Sequence, residues 1–238
     1  MSKPATKTTS EVTQGENARL RGDLLTVASR VSHDLRTPLG GIVSTAEAIR
    51  EILVEHDPSA VGLADSLLGS AEEIAQLVRQ VSYMARASAS PLPKAEVHMA
   101  EPVFAALQRL ESRVLKREAM VKEPDSWPVL QGVGAWLETI WWNLIMNALR
   151  HGGPKCHIEL GWTQLQDSLR FWITDSGPGV PDALRGKLFK EFHLLHEFHD
   201  VPGLGLSIVQ RLVDLQGGRC GHEAPAHGGA CFYFTLPG

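Results

Sequence analysis

The sequence predicts two classes of fold in tandem, α followed by α/β: a long antiparallel helical hairpin and then an α/β sandwich. Three observations predict this. Apolar residues in the first third recur at alternating steps of three and four, the period of packed helices. SASPLPKA, residues 88–95, then breaks that period with two prolines. Beyond it, short alternating runs are interleaved with amphipathic stretches, as in a mixed sheet covered by helices.

Residues 1–16 are polar with no apolar segment, and read as a disordered lead-in rather than a secretory signal. A first helix is expected from about Glu16 to Glu55. Its seam is Leu24, Ala28, Val31, Leu35, Ile42, Ile49 and Ile52, with Pro38 and Thr45 at the intervening places. EHDPSAVG breaks it, Pro58 and Gly62 marking the turn. A second helix runs to about Ser88 on Ala64, Leu67, Ala71, Ile74, Val78, Val81 and Ala85. Two such seams cannot cover themselves in one hairpin, so two hairpins are expected to pair as a dimeric four-helix bundle. The expected organisation is a lead-in over 1–16, a hairpin over 17–88, a linker over 89–95 and an α/β domain over 96–238.

In the second half, EPVFAALQRLESRVLKRE reads as a helix, with short strands near MVKE and WPVLQ. GVGAWLETIWWNLIMNALRHGG reads as a helix stopped by Gly152 and Gly153. KCHIELGWTQ and SLRFWITD alternate as a strand pair turning at Gln166 and Asp167. After an irregular stretch, GLGLSIVQRLVDLQGG forms a last helix, and RCGHEA and ACFYFTLP close the sheet.

The net charge of -4 supplies no basic field for nucleic acid or an anionic membrane surface. No apolar run approaches the length of a membrane-spanning helix. Cys156, Cys220 and Cys231 are odd in number and lack metal-ligand spacing; they read as packed thiols of a reducing compartment, and the expected location is cytoplasmic.

Chemistry is concentrated in two places. In SHDLRTPLGG, His33 falls midway between the seam residues Val31 and Leu35 and so points away from the seam. Thr37 shares its face one turn on, Asp34 adjoins the imidazole, and Pro38 should bend the helix just beyond. An exposed imidazole beside a carboxylate is a nucleophile if an activated phosphate is supplied, and otherwise a solvated histidine on a polar face.

The second place is split over four segments. Asn143 and Asn147 lie four apart on one helix face, with Arg150 and His151 just beyond. Their amides are usable oxygen ligands for magnesium. DSGPG puts Asp175 at a strand end, with Gly177 and Gly179 where backbone turns tightly or approaches a ligand. LFKEF offers Phe189 and Phe192 as an apolar clamp, and GLGLS opens a helix with Gly203 and Gly205. Taken singly, these segments are equally solvent-facing amides, ordinary turns and core phenylalanines. No Gly-x-x-x-x-Gly-Lys run is present, which excludes a P-loop, and no eukaryotic-type kinase loop occurs.

SHDLRTPLGGI, NLIMNALRHG, DSGPGV, LFKEF, GLGLSIV and GGACFYFTLP, in that order, closely resemble the sensor histidine kinases of two-component signalling. The resemblance covers nearly the whole chain from about residue 17. It implies a dimerisation and histidine-phosphotransfer hairpin with His33 as phosphoacceptor, and a catalytic ATP-binding domain of the Bergerat (GHKL) type. It implies that Asp175 bonds the adenine amino group in a pocket shaped by Gly177 and Gly179, with Phe189 nearby. Asn147 and Asn143 would approach Mg²⁺ and the phosphates, Arg150 would be the basic position near the phosphates, His151 the ring position by the nucleotide, and Gly203, Leu204 and Gly205 would form the far edge of the phosphate site. Asp34 would polarise the ring nitrogen of His33 that does not attack, and Thr37 would position a water for dephosphorylating a partner.

The expected function is therefore ATP-dependent autophosphorylation of His33 and transfer to an aspartate on a response-regulator receiver domain, with regulator phosphatase activity as an addition. Departures from the family pattern favour a second reading, a phosphotransfer scaffold or pseudokinase with weak ATP turnover. Val201 and Pro202 stand where the last glycine box usually begins with glycine and a small polar residue, and the lid HLLHEFHDVP, residues 193–202, has no Lys or Arg. Its His193, His196 and His199 are read as a polar lid, as a substitute cation, or as metal ligands if the lid is helical. A plain ATPase of the same fold is a third reading, which leaves His33 idle. No sensor domain precedes the hairpin, so the chain is either a soluble core with a separate sensor partner or a fragment.

Overall fold

The structure is a computed structural model that describes residues 35, 39–53, 61, 64, 67, 68, 71, 74, 75, 78, 93–186, 188, 189, 204–226 and 228–238. The chain divides into two compact units, Met1–Pro91 and Leu92–Gly238.

In the first unit every described residue is helical. The expected seam resolves into two rows. Leu39, Ala46, Ala64 and Ala71 are buried, whereas Leu35, Ile42, Ile49, Leu67 and Ile74 are exposed. Leu39 and Ala46 each fall one residue beyond the intervening places expected at Pro38 and Thr45, and Ile52 is exposed. The bulky residues Leu35, Ile42 and Ile49 are seven apart, a coiled-coil repeat that a single chain leaves uncovered.

The second unit contains β1 (Ala95–His98), α1 (Ala100–Lys116), β2 (Met120–Lys122), β3 (Val129–Gly132), α2 (Gly134–His151), β4 (His157–Gln164), β5 (Ser168–Asp175), α3 (Asp182–Arg185), α4 (Leu204–Leu215), β6 (Arg219–Glu223) and β7 (Ala230–Pro237). Five strands form a mixed sheet in the order β2-β4-β5-β7-β6, and β1 pairs with β3 in a separate ribbon. Only β2–β4 is parallel within the sheet. The short helix α3 occupies the stretch expected to be irregular, and β1 opens at the last residue of the expected linker.

Alternation decides which way the strands face. Along β5, Leu169, Phe171, Ile173 and Asp175 are buried and their neighbours half-buried. Along β7, Ala230, Phe232, Phe234 and Leu236 are buried. Helix α2 packs against α1, α4 and β5. Its Trp141 ring lies 5.5 Å from Phe234, which stacks on Phe171 at 5.1 Å. The most deeply buried polar residue among those described is Gln216, 1% exposed. Its Oε1 accepts the Val133 N–H at the start of α2 (2.9 Å), its Nε2 donates to the Leu212 carbonyl (3.2 Å), and its own carbonyl accepts Lys94 Nζ (2.7 Å). One side chain thus fixes the end of α4 to the beginning of α2.

Candidate nucleotide site

The site is built on the last two turns of α2. Asn143 is 5% exposed and donates Nδ2 to the Thr139 carbonyl at 2.8 Å. Its Oδ1 faces Gly205 in the first turn of α4, where a Cβ would come within 3.0 Å of it. Asn147 is half-buried, and among the described residues its side-chain amide makes no hydrogen bond. Arg150 is half-buried and engaged in an interaction of its own, and His151 is exposed.

At the end of α2, the Gly152 N–H closes on the Ala148 carbonyl at 2.7 Å. A Cβ on Gly177 would meet the His151 oxygen at 2.7 Å and the Gly152 Cα at 2.8 Å. The DSGPG loop therefore lies directly on the helix end. The same loop is tied to β4 by Ser176, whose Oγ accepts the His157 N–H at 2.9 Å and whose N–H donates to the His157 carbonyl at 3.1 Å. Gly179 turns with φ +80° against the Gly229 carbonyl, and Gly229, φ +81°, lies on the Asp175 carbonyl so closely that no Cβ fits.

The two glycine segments thus bracket α2, GLGLS at Asn143 and DSGPG at His151. At 1.5 Å per residue these positions are about 12 Å apart along the helix, room for a base at one end and phosphates at the other. Asp175 is brought to the His151 end of α2 by the inward alternation of β5 and is 5% exposed. Burial pushes its pKa above the usual carboxylate range; the N–H groups of Gly177 and Ala230 and the charges of His151 and His222 act against this. Although part of its surface is exposed, His151 is held below the ordinary histidine value by partial desolvation of its ring at the end of α2 and then by Arg150, with Asp175 opposing. Phe189 meets Phe232 edge-on at 6.4 Å.

Of the residues singled out in the sequence, Asn143, Asn147, Arg150, His151, Asp175, Gly177, Gly179, Phe189 and Gly205 lie on these adjoining segments, and Leu204 opens α4. His33, Asp34, Thr37, Phe192, Gly203 and the lid 193–202 lie outside the described residues. Gly152, expected only as a helix stop, Gly229, expected only as part of GGACFYFTLP, and Gln216, for which no role is expected, hold the elements around the site together.

Two family models match the chain. Residues 23–90 match the His Kinase A (phospho-acceptor) domain, and residues 132–238 match the histidine kinase-, DNA gyrase B- and HSP90-like ATPase. The sensor protein KdpD of Escherichia coli (strain K12) is 30% identical over 226 residues, 93% of this chain and 25% of its own length. The methanogenesis regulatory histidine kinase FilI of Methanothrix harundinacea (strain 6Ac) is 28% identical over 87% of this chain and 24% of its own. The chain spans about a quarter of the length of these two relatives. Among solved structures, full-length ShkA in complex with AMPPNP aligns with a TM-score of 0.64 and 25% identity, covering 89% of this chain and 45% of that one. The catalytic domain of histidine kinase ThkA, 23% identical with a TM-score of 0.53 over 61% of this chain and 96% of its own, shares the fold.

A phospho-acceptor hairpin followed by a GHKL-type ATPase domain defines a two-component kinase core. The chain belongs to the sensor histidine kinase family. Among the described residues, no helix is long and apolar enough to cross a membrane.

Proposed function

We propose that this chain is an ATP-dependent protein-histidine kinase that phosphorylates His33 and passes the phosphoryl group to a receiver-domain aspartate of a response regulator. The observation that carries this is the bracketing of α2 by Gly205 at Asn143 and Gly177 at His151, with the Asp175 carboxylate buried at one end. ATP is the substrate that fits it. Asp175 accepts a hydrogen bond from the adenine amino group, while Gly177 and Gly179 keep backbone close to the base.

At the other end, N–H groups of Gly203, Leu204 and Gly205 meet phosphate oxygens at the positive end of α4, with Arg150 as the basic group near the phosphates and His151 as a neutral ring beside the nucleotide. The Asn147 amide, half-buried and without a side-chain partner among the described residues, fits a hard oxygen-preferring cation, and Asn143 supports it from behind. Magnesium held there would supply charge neutralisation for the phosphates.

His33 then attacks the γ-phosphorus: an N–P bond forms, the bond to the bridging oxygen breaks, and ADP leaves. Asp34 polarises the other ring nitrogen. Transfer onward breaks the N–P bond and forms an acyl phosphate on the regulator; Thr37 positions a water whose attack on that acyl phosphate breaks its O–P bond and releases inorganic phosphate and the free aspartate. Orientation and charge neutralisation supply most of the rate. The exposed rows Leu35, Ile42, Ile49 and Leu67, Ile74 support a homodimer. The cytoplasm supplies both ATP and regulator.

The lid without Lys or Arg, and Val201 and Pro202 before Gly203, support the second reading, a phosphotransfer scaffold with slow ATP turnover. Incubating the chain with γ-labelled ATP and Mg²⁺ separates the readings. A kinase gives acid-labile, alkali-stable protein label; a plain ATPase releases phosphate without label; a scaffold does neither at an appreciable rate.

A further inference from the structure

Helices α2 and α4 pack against each other and meet at two defined places. Gln216, directly after α4, accepts the Val133 N–H at the start of α2 on its Oε1 at 2.9 Å. Gly205, in the first turn of α4, faces Oδ1 of Asn143 in the second half of α2. At 1.5 Å per residue, Val133 to Asn143 spans about 15 Å and Gly205 to Gln216 about 16 Å. The helices therefore run antiparallel, with matched spans between the two meeting places. One of these is the phosphate segment of the proposed site, and the other is remote from it.

Between them α4 buries Ile208, Val209, Leu212 and Val213. Apolar contact is non-directional and holds two helices together without finely setting their offset. A hydrogen bond tolerates only a narrow range of length and angle, and so does set it. The Gln216 amide is itself held still. Its Nε2 donates to the Leu212 carbonyl at 3.2 Å, and a Cβ on Gly132 would come within 3.1 Å of its Oε1, so the end of β3 lies against it. Its backbone carbonyl accepts Lys94 Nζ at 2.7 Å. The residues that follow fix this end of α4 to the sheet: Gly217 turns with φ +83°, and Gly218 lies on the Thr235 carbonyl of β7 so closely that no Cβ fits. A buried amide is costlier to place than an apolar side chain of the same size, and here both of its polar atoms are partnered.

We propose that Gln216 is a positioning residue for the phosphate end of the nucleotide site: by pinning the start of α2 to the end of α4, it sets the offset that brings Gly205 against Asn143. This rests on the kinase reading above. The Asp175 end is held separately, by Gly177 against the His151 carbonyl and by the β5–β7 ladder, so loss of the amide bears on the phosphates and spares the base. The test compares ADP with AMP binding by calorimetry to the full chain as wild type, Gln216→Met, Gln216→Asn and Gln216→Glu, with thermal unfolding of each without nucleotide. Gln216→Met keeps the length and removes the amide, and Gln216→Asn keeps the amide but shortens its reach. Gln216→Glu keeps an oxygen opposite the Val133 N–H. The backbone ¹⁵N–¹H signals of Gly205 and Gly177 are followed in the nucleotide-free proteins.

In Gln216→Met and Gln216→Asn, ADP affinity is expected to fall by about three- to tenfold, the equivalent of one phosphate hydrogen bond lost, with AMP affinity within about twofold of wild type. Gln216→Glu should keep the wild-type ratio of ADP to AMP affinity whatever its unfolding temperature. The Gly205 signal should shift in Gln216→Met and Gln216→Asn while that of Gly177 stays. Where Gln216→Met does not fold, Gln216→Asn carries the same readouts. An ADP-to-AMP ratio within about twofold of wild type in the variants that fold, or an unmoved Gly205 signal, would overturn the proposal. So would ADP and AMP affinities that fall together in step with the unfolding temperature, Gln216→Glu included, which marks a general structural role. A wild-type chain that binds no ADP overturns the kinase reading itself. Wild-type ADP binding with an unchanged ratio in every variant overturns this inference alone.

Discussion

The backbone N–H of Gly177 donates to Oδ1 of Asp175 at 2.9 Å, so the loop that follows β5 folds back over the carboxylate it has just left. The N–H of Ala230, opposite Asp175 in the ladder, is a second donor. Both bonds favour the charged form, and burial still outweighs them, leaving the carboxyl above its usual range. A carboxylate held charged at a cost to the free protein gains most from a donor that arrives with a ligand.

Asp175→Asn should therefore separate binding from stability. Nucleotide affinity should fall by roughly 1–3 kcal/mol as a charge-assisted hydrogen bond is lost. A carboxyl with a raised native pKa contributes stability below the ordinary carboxylate pKa and loses it as pH rises through the native value. At neutral pH the nucleotide-free variant should accordingly unfold at or above the wild-type temperature. Calorimetry with ADP and thermal melts at pH 7 check both halves.

Gly177→Ala places a Cβ 2.7 Å from the His151 carbonyl oxygen and 2.8 Å from the Gly152 Cα, both backbone atoms that cannot swing aside. A cost of about 1–3 kcal/mol in denaturant unfolding is expected, together with loss of ADP binding. Gly186→Ala, with open space around it, should do neither.

His151 and His222 both have native pKa values below the ordinary histidine value, burial being the first cause in each. A depressed pKa means that the unfolded chain binds the proton more tightly. The stability these rings contribute is complete above about pH 6.5 and is lost as pH falls through and below it. Urea midpoints of the nucleotide-free chain should fall from pH 7.5 to 5.5, and by less in His222→Leu.

The uncovered heptad row makes a prediction for the hairpin. Ile42 and Ile49 are 44% and 45% exposed in a single chain, whereas Ala46 between them is 2% exposed. Charge on the exposed row should oppose association and leave the covered row alone. Ile42→Glu with Ile49→Glu should convert a dimer to monomer in sedimentation, with ADP affinity of the second unit unchanged.

Strong local periods made most of this fold legible. The eight-residue alternation of β5 and β7 and the capped amphipathic run of α2 leave little choice of element or face. Where the signal is weak, the reading slipped. AEVH is too short to show a period, so no strand is expected there and only Ala95 falls in the expected linker, while the single turn of α3 lies in the stretch expected to be irregular. In the hairpin, alanine counts little in a hydrophobic pattern, so Ala46 falls off the expected seam of the first helix although it is buried, whereas Ala64 and Ala71 lie on the expected seam of the second and are buried. The nucleotide segments were legible because glycine, asparagine and a strand-end aspartate are costly residues to place there without use. Gln216 was not, since a single polar residue in sequence does not reveal that it is buried, nor whether its atoms find partners.

The central claim joins His33 to the pocket around Asp175, and one measurement addresses both. Wild type, His33→Gln and Asp175→Asn are incubated with γ-labelled ATP and Mg²⁺, and the acid-labile label is quantified and mapped by peptide. The account predicts label on the His33 peptide of the wild type, none in His33→Gln although ADP still binds, and strongly reduced label in Asp175→Asn. Acid-labile label persisting in His33→Gln, or undiminished in Asp175→Asn, would contradict it.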